Sequence, residues 1–345
     1  MKNTLIIGGG IAGSSLAIQL MKRGVGVTVL DRGTNHSSAV ASGMVNPMVF
    51  RRMNLSWRAN EMLPYARDFY LELEDTLKAK FYNTLRIRRF FSSEQERGYW
   101  EKKQHEAEYQ KYLTLHDDFD EKVPLAKSEF GSGIVKNAFW IRSKLFMEKM
   151  HLFLKEQKVL QYGQFEPAKF TLEELSYGGS IYDSIVFCCG SDNDKIPYFN
   201  RANIQHNRGQ ILHIESSELS QRELWNRKGF ILPVGGEKFM LGATYEWNEP
   251  SLTITAEARE KLEGVFETMT NASYEVNEQT VGMRPTVADR RPIMGEHPEY
   301  KGLFIFNGLG TKGYMLAPLL SLEMAQFMVE GTPLHKEVVF SRVYK

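Results

Sequence analysis

Apolar residues fall in short runs along most of this 345-residue chain, and their spacing switches repeatedly between strand-like and helical. Thr4 to Ile7 is an apolar run that leads into Gly8-Gly9-Gly10-Ile11-Ala12-Gly13. From Ile11 to Arg23 the spacing is helical, with Leu16 and Leu20 on one side and Gly13 and Ala17 small enough for close packing. Gly24 punctuates that helix, and Val25 to Leu30 reads as a second buried strand ending at Asp31. A loop of small residues covers 33–48. The helical positions Ala59, Met62, Ala66, Phe69, Leu73 and Leu77 follow, with Pro64 predicted to interrupt them and start a new helix. Thr84 to Phe90 alternates like a half-exposed strand with a solvated arginine face, and 92–112 reads as a charged surface helix. Ser143 is predicted to cap a helix reaching about Gln157. Ile181 to Cys189 reads as an apolar strand ending at Gly190. Ile211–Ile214, Phe230–Pro233 and Lys238–Thr244 read as successive sheet strands, Thr255 as the cap of a helix to about Met269, and Leu303–Phe306 as a last strand.

The opening order of strand, GxGxxG turn, helix, strand and acid is that of a dinucleotide-binding unit. Gly8 allows the tight turn, Gly10 lets the backbone approach a pyrophosphate, and Gly13 lets the helix pack against the strand. Ile11 and Ala12 then open a helix whose N–H groups and dipole favour phosphate. Asp31, with Arg32 beside it, stands where an acid accepts hydrogen bonds from ribose hydroxyls. No second GxGxxG is read in that context, so a separate NAD(P) unit is not expected.

Composition narrows the picture. Hydrophobic residues make up 42% and charged residues 25%, a globular balance. With 43 Lys+Arg against 42 Asp+Glu the net charge is +1, which excludes a strongly basic nucleic-acid binder working by bulk electrostatics but leaves room for a local basic patch. The length suits two domains, and the lack of repeats or low-complexity linkers suggests that they are interwoven. Only Cys188 and Cys189 occur. They are adjacent, so no disulfide framework is expected, and they read as small core residues. No apolar run approaches the roughly 20 residues of a membrane span. The N-terminus lacks a signal-peptide pattern, so a cytoplasmic protein is expected. Neither metal-ligand spacing nor a Ser/His/Asp or Cys/His nucleophile arrangement is apparent.

The C-terminal quarter adds a second signal. Val281-Gly282-Met283-Arg284-Pro285 is followed by Asp289-Arg290-Arg291-Pro292-Ile293-Met294-Gly295, a strand, and Gly308-Leu309-Gly310-Thr311-Lys312-Gly313-Tyr314 before Ala317-Pro318. With the N-terminal unit, this series resembles the D-amino-acid oxidase superfamily, which includes glycine and sarcosine oxidases. Ala41-Ser42-Gly43 before Asn46-Pro47, Arg208-Gly209-Gln210, and Gly242-Ala243-Thr244-Tyr245 further resemble the FAD oxidase half of bifunctional tRNA wobble-uridine modifying enzymes; the methyltransferase half has no counterpart here.

The resemblance implies an α/β fold: a Rossmann-like FAD-binding domain of the GR2 flavoprotein type (1–50, 141–195 and 284–345) interwoven with a mixed-sheet α+β substrate domain (51–140 and 196–283). It implies FAD, held noncovalently because no cysteine lies near the C-terminus, and oxidation of the C–N bond of a small carboxylated amine. Oxygen or a quinone-type carrier would then accept the electrons. Arg284 is implied as the carboxylate anchor, a simple ion pair with Asp289 being the plainer alternative. Lys312 is implied at the flavin pyrimidine end, and Tyr245 at the active site. Cofactor contacts are implied for Gly8, Gly10, Ile11, Ala12, Gly13, Asp31, Arg32, Ala41, Ser42, Gly43, Gly190, Gly310, Thr311, Lys312, Gly313 and Tyr314. Arg51 and Arg52 read as solvated arginines, with a cofactor-facing role as the alternative. Oxidation of a carboxymethylaminomethyl uridine in tRNA and non-catalytic flavin binding are the other two functions left open, although nucleic acid is not the expected partner.

Overall fold

The N-terminal apolar runs become the centre of a six-stranded sheet in the computed structural model, which describes residues 2–34, 37–115 and 125–344. The strands run in the order Ile293–Glu296, Leu303–Asn307, Ser184–Phe187, Asn3–Ile7, Gly26–Asp31, Leu160–Tyr162. All pairs are parallel except the first, which is antiparallel. Leu5, Ile6, Ile185, Val186, Phe187, Leu303 and Ile305 are buried, as expected where helices cover both faces of a parallel sheet. The helices Ile11–Met21 and Gly313–Glu330 pack on one another beside it.

A larger sheet of ten strands contains, at the centre of its main path, Gln205–Glu215, Lys238–Gly242, Gly229–Gly235, Leu224–Arg227, Tyr82–Phe90 and Ser132–Ile141. Glu275–Thr286 pairs antiparallel with Gln205–Glu215, setting Arg284 opposite Asn207 and Gly282 opposite Gly209. On the other edge of Gln205–Glu215, Lys238–Gly242 pairs first. After a break at 243–245, Glu246–Trp247 resumes the pairing. The chain crosses between the two sheets several times, and Met44–Val45, early in the chain, joins the larger one. Among the described residues no helix is long and apolar enough to cross a membrane.

Several sequence expectations are corrected here. The helix Ala59–Leu77 runs unbroken through Pro64. One missing N–H is outweighed by a buried stripe that includes Met62, Ala66, Phe69, Tyr70 and Leu73. The surface helix shrinks to Glu94–Lys103, capped by Ser93, and it buries Trp100 completely against Gly133. Ser143 is the first helical residue rather than the cap: its hydroxyl donates to the carbonyls of Ala39 and Ala41 (3.1 and 2.5 Å), tying the helix Ser143–Glu156 to the small-residue loop. The arginine face is not solvated, since Arg86 and Arg88 pair with buried Glu223, and Arg89 pairs with Glu96. The strand assigned to 181–189 covers only Ser184–Phe187, and the cysteines lie just beyond its end. Thr255 caps its helix as expected, accepting from the Ala258 N–H.

Candidate active site

The glycine turn sits at the ends of the two central strands, where space is tight. Gly8 has φ +107°, and a Cβ on it would lie 2.4 Å from the Cys188 carbonyl oxygen. A Cβ on Gly13 would lie 1.9 Å from the Gly8 carbonyl, so helix and turn touch backbone to backbone. Gly10 differs: a Cβ there would meet only the Ser38 hydroxyl at 3.2 Å, and the position faces a cavity. Backbone bonding in the helix begins with Ser14 donating to Gly10, so the N–H groups ahead of it have no helical partner. That of Ile11 donates to the Ser38 hydroxyl at 3.0 Å.

Asp31 does more than the sequence reading assigned it. Its carboxylate is buried and accepts from the N–H groups of Gly9 (2.6 Å) and Gly33 (2.7 Å), bracing the turn while lining the cavity. His151 adds a bond from its Nε2 to the Gly9 carbonyl at 2.7 Å. Arg32 pairs with Asp192 at 2.5 Å, on the same wall.

The cavity measures about 1330 Å³. That exceeds the roughly 300–1,000 Å³ of a drug-sized site and suits a dinucleotide with room beside it. Its walls carry Gly8, Gly10, Ile11, Ala12, Ala41, Ser42, Gly43, Gly190, Gly310, Thr311, Lys312 and Gly313. Gly43 has φ +72°, and a Cβ there would lie 1.9 Å from the Ile141 carbonyl, while Trp140 donates to the Ser42 carbonyl at 2.7 Å. Gly308 to Gly313 does repeat the GxGxxG spacing, after the strand Leu303–Asn307 and at the opening of the helix Gly313–Glu330. It faces this same cavity and marks no separate nucleotide unit. Tyr314 also borders the cavity, but its hydroxyl is spent on the Ser38 carbonyl at 2.7 Å, and its ring packs against Tyr70 and Phe146. It braces the wall from behind.

Two cations set into the cavity wall, Lys312 and Arg284, have no carboxylate within ion-pair distance among the described residues. The Lys312 ammonium donates to the carbonyls of Asn46 (2.9 Å) and Met48 (3.4 Å), and burial pushes its pKa down to about 8. It is no surface lysine. Arg284 lies across the strand Gln205–Glu215. Its Nη1 donates to Asn207 Oδ1 at 2.8 Å and to the Thr244 carbonyl at 3.0 Å, and the Tyr245 ring covers it with 4.5 Å between Cζ and the ring centroid. Burial lowers its pKa, and among the described residues no carboxylate is within ion-pair distance of it. The plainer alternative of an Arg284–Asp289 pair is therefore set aside: Asp289 pairs with Arg342 at 3.1 Å. Tyr245 itself is 60% exposed, at the cavity mouth. Arg51 and Arg52 are exposed and also line the cavity.

Sequence reasoning missed the residues that seat these cations. Asn207, the Thr244 carbonyl and the bare backbone of Gly209 hold Arg284, and the Asn46 carbonyl holds Lys312. The motifs containing them were noticed, but their roles depend on strand pairing and loop paths that spacing does not reveal.

A cavity with a phosphate-type helix end, with Lys312 and Arg284 set into its wall, has the features that bind an anionic dinucleotide. Comparison with known proteins bears on the dinucleotide. The profile of the DAO family, described as FAD dependent oxidoreductase, matches residues 3–327. An uncharacterised oxidoreductase of Bacillus subtilis, YurR, is 24% identical over 359 residues, covering 95% of each chain. The tRNA 5-methylaminomethyl-2-thiouridine biosynthesis bifunctional protein MnmC of Idiomarina loihiensis is 25% identical over 369 residues. That match covers 98% of this chain but only 57% of the relative's length. In fold, the chain is similar to the glycine oxidase of Bacillus cereus, with a TM-score of 0.76 at 21% identity, covering 97% of this chain and 96% of that one.

Proposed function

The chain belongs to the DAO family of FAD-dependent oxidoreductases, and from that premise we propose that it oxidises the C–N bond of a small amine carrying a carboxylate, with an N-substituted glycine as the favoured form. One observation carries this reading: Arg284 is a half-buried guanidinium on the cavity that the glycine turn opens, with no carboxylate within ion-pair distance among the described residues. A planar guanidinium suits bidentate contact with a carboxylate better than an ammonium does.

In this reading the turn Gly8–Gly13 and its helix end hold the pyrophosphate, and Asp31 adds ribose contacts to its brace on the turn. Lys312 and the backbone of Gly310–Gly313, which line the cavity, would hold the pyrimidine end, where a fixed cation would stabilise developing negative charge. Bound FAD supplies the hydride acceptor. Arg284 fixes the carboxylate, Tyr245 presses the guanidinium into place, and the amine's α C–H is thereby oriented. The imine that forms hydrolyses without a protein nucleophile.

The test is anaerobic flavin bleaching by sarcosine and other N-substituted glycines against the matching amines without the carboxylate. The carboxylated set is expected to reduce the flavin at least about a hundredfold faster, the scale of a charge-assisted contact. Equal rates would overturn the reading.

A second reading has its own support. Arg51, Arg52, Lys228 and Arg290 are exposed on the cavity lining of a chain whose net charge is only +1, and Tyr245 and Trp247 are exposed on the same lining. Cations interleaved with aromatics suit an amine borne on a nucleic acid. Bleaching by tRNA carrying carboxymethylaminomethyl uridine, and by none of the free amines, would select this reading over the first.

A further inference from the structure

Strand alternation gives the segment Asn207-Arg208-Gly209-Gln210 two different faces. Asn207 and Gly209 line the cavity, whereas Arg208 and Gln210 are buried on the opposite side, 6% and 0% exposed. On the cavity face, Arg284 reaches from the neighbouring strand across Gly209 to the Thr244 carbonyl on the far edge. It can do so only because Gly209 has no side chain: a Cβ there would lie 2.1 Å from Nη2 and 2.3 Å from Cζ.

The other face of the same segment handles a neighbouring acid. Glu246 follows two residues after Thr244, and its charge is felt at Arg284. It is nevertheless turned away. Its carboxylate accepts from Arg208 Nε (2.9 Å) and Nη2, from Gln210 Nε2 (3.2 Å) and from the Thr244 hydroxyl (2.9 Å). The remaining Arg208 nitrogen donates to the Ser251 hydroxyl at 2.7 Å and lies 3.7 Å from Glu249. Arg208 and Glu246 are thus matched behind the strand, and Arg284 is left unmatched in front of it.

Resting on the carboxylated-amine reading, we propose that Arg208 is a positioning residue that makes the site selective for carboxylates by holding Glu246 away from Arg284. A half-buried carboxylate stripped of its cation bears part of its desolvation cost unmatched and is drawn to the next cation available. Without Arg208 that cation is Arg284. The enzyme would then carry its own occupant in the carboxylate seat, and an incoming carboxylate would meet a neutral pair instead of a free charge.

The experiment uses the FAD-loaded protein, with glycolate as the probe, titrated by its perturbation of the flavin spectrum. Arg208→Met is expected to weaken glycolate binding about tenfold or more, and the double variant Arg208→Met/Glu246→Gln to restore it to within about threefold of wild type. A double variant as weak as the single one would mean that Arg208 is only a structural brace, and would overturn the proposal. Should Arg208→Met not fold, Glu246→Gln alone decides: the proposal requires glycolate to bind at least as tightly as to wild type, and about tenfold weaker binding would overturn it. A crystal structure of Arg208→Met separates this proposal from the substrate reading. Glu246 remaining on Gln210 and Thr244 overturns the proposal whatever the turnover. Glu246 seated on Arg284 with amine oxidation undiminished upholds it and removes the carboxylated-substrate reading instead.

Discussion

Lys312 donates to the Asn46 carbonyl at 2.9 Å, and among the described residues no carboxylate lies within ion-pair distance of it. Desolvation alone sets its pKa near 8, below the usual 10.5. The consequence for stability has a definite sign. Below pH 8 the folded and unfolded chains both hold the proton, and the cost of burying a charge is present in full. Between about 8 and 10.5 the unfolded chain binds more protons, so stability of the FAD-free protein rises with pH. Lys312→Met removes that rise. Thermal unfolding of both apoproteins from pH 7.5 to 10 checks this, and parallel curves would show that Lys312 is not the group responsible. In the FAD-loaded protein, loss of this cation should lower the two-electron flavin potential by roughly 30 mV, equivalent to about 1.4 kcal/mol.

The glycines of the turn separate binding from folding. A side chain at Gly10 enters the cavity and meets only Ser38, whereas one at Gly13 collides with the Gly8 carbonyl. Gly10→Val is therefore expected to fold and to lose FAD, because the side chain occupies space needed by the pyrophosphate. Gly13→Val is expected to lose stability with or without the cofactor. Flavin absorbance per protein, measured together with the unfolding midpoint, distinguishes the two outcomes.

This part of the molecule was legible in the sequence because local rules govern it. A strand, a glycine turn and a helix dictate their own geometry, and Asp31 falls where the second strand must end. Elsewhere, tertiary contacts overrode local signals. Pro64 sits inside a helix because the apolar stripe around it is buried, and Ser143 ties a loop instead of capping. Arg284 could be picked out by resemblance. That it lies unpaired across Gly209 depends on which strand pairs with which and on where Glu246 turns, and neither fact is encoded in spacing.

Cys188 and Cys189 border the cavity, so a covalent flavin link has to be judged on reactivity as well as on position. Burial holds both thiols well above their ordinary pKa, with Asp192 adding to the effect at Cys189. A protonated thiol is a poor nucleophile. FAD is therefore expected to be released into the supernatant on acid precipitation, leaving a colourless pellet. The native protein should also resist iodoacetamide at pH 8 until it is denatured. A yellow pellet would contradict noncovalent binding.

The carboxylate anchor can be probed by two changes that leave the nucleotide turn alone. Arg284→Lys keeps the charge but loses the planar guanidinium, whose Nη1 is held by both Asn207 and Thr244, and with it the fixed fork for a carboxylate. Flavin content should stay at the wild-type level, and kcat/KM for the best carboxylated amine should fall by about 2–4 kcal/mol in transition-state binding, or roughly 30- to 1,000-fold. Gly209→Ala leaves Arg284 chemically intact but places a methyl group where the guanidinium lies. The displaced arginine should lose its hold on the substrate, so that carboxylated amines and their decarboxylated analogues converge in rate while FAD remains bound. If either variant keeps the wild-type preference for the carboxylate, the anchor lies elsewhere on the cavity wall, with Arg51 and Arg52 the next residues to replace.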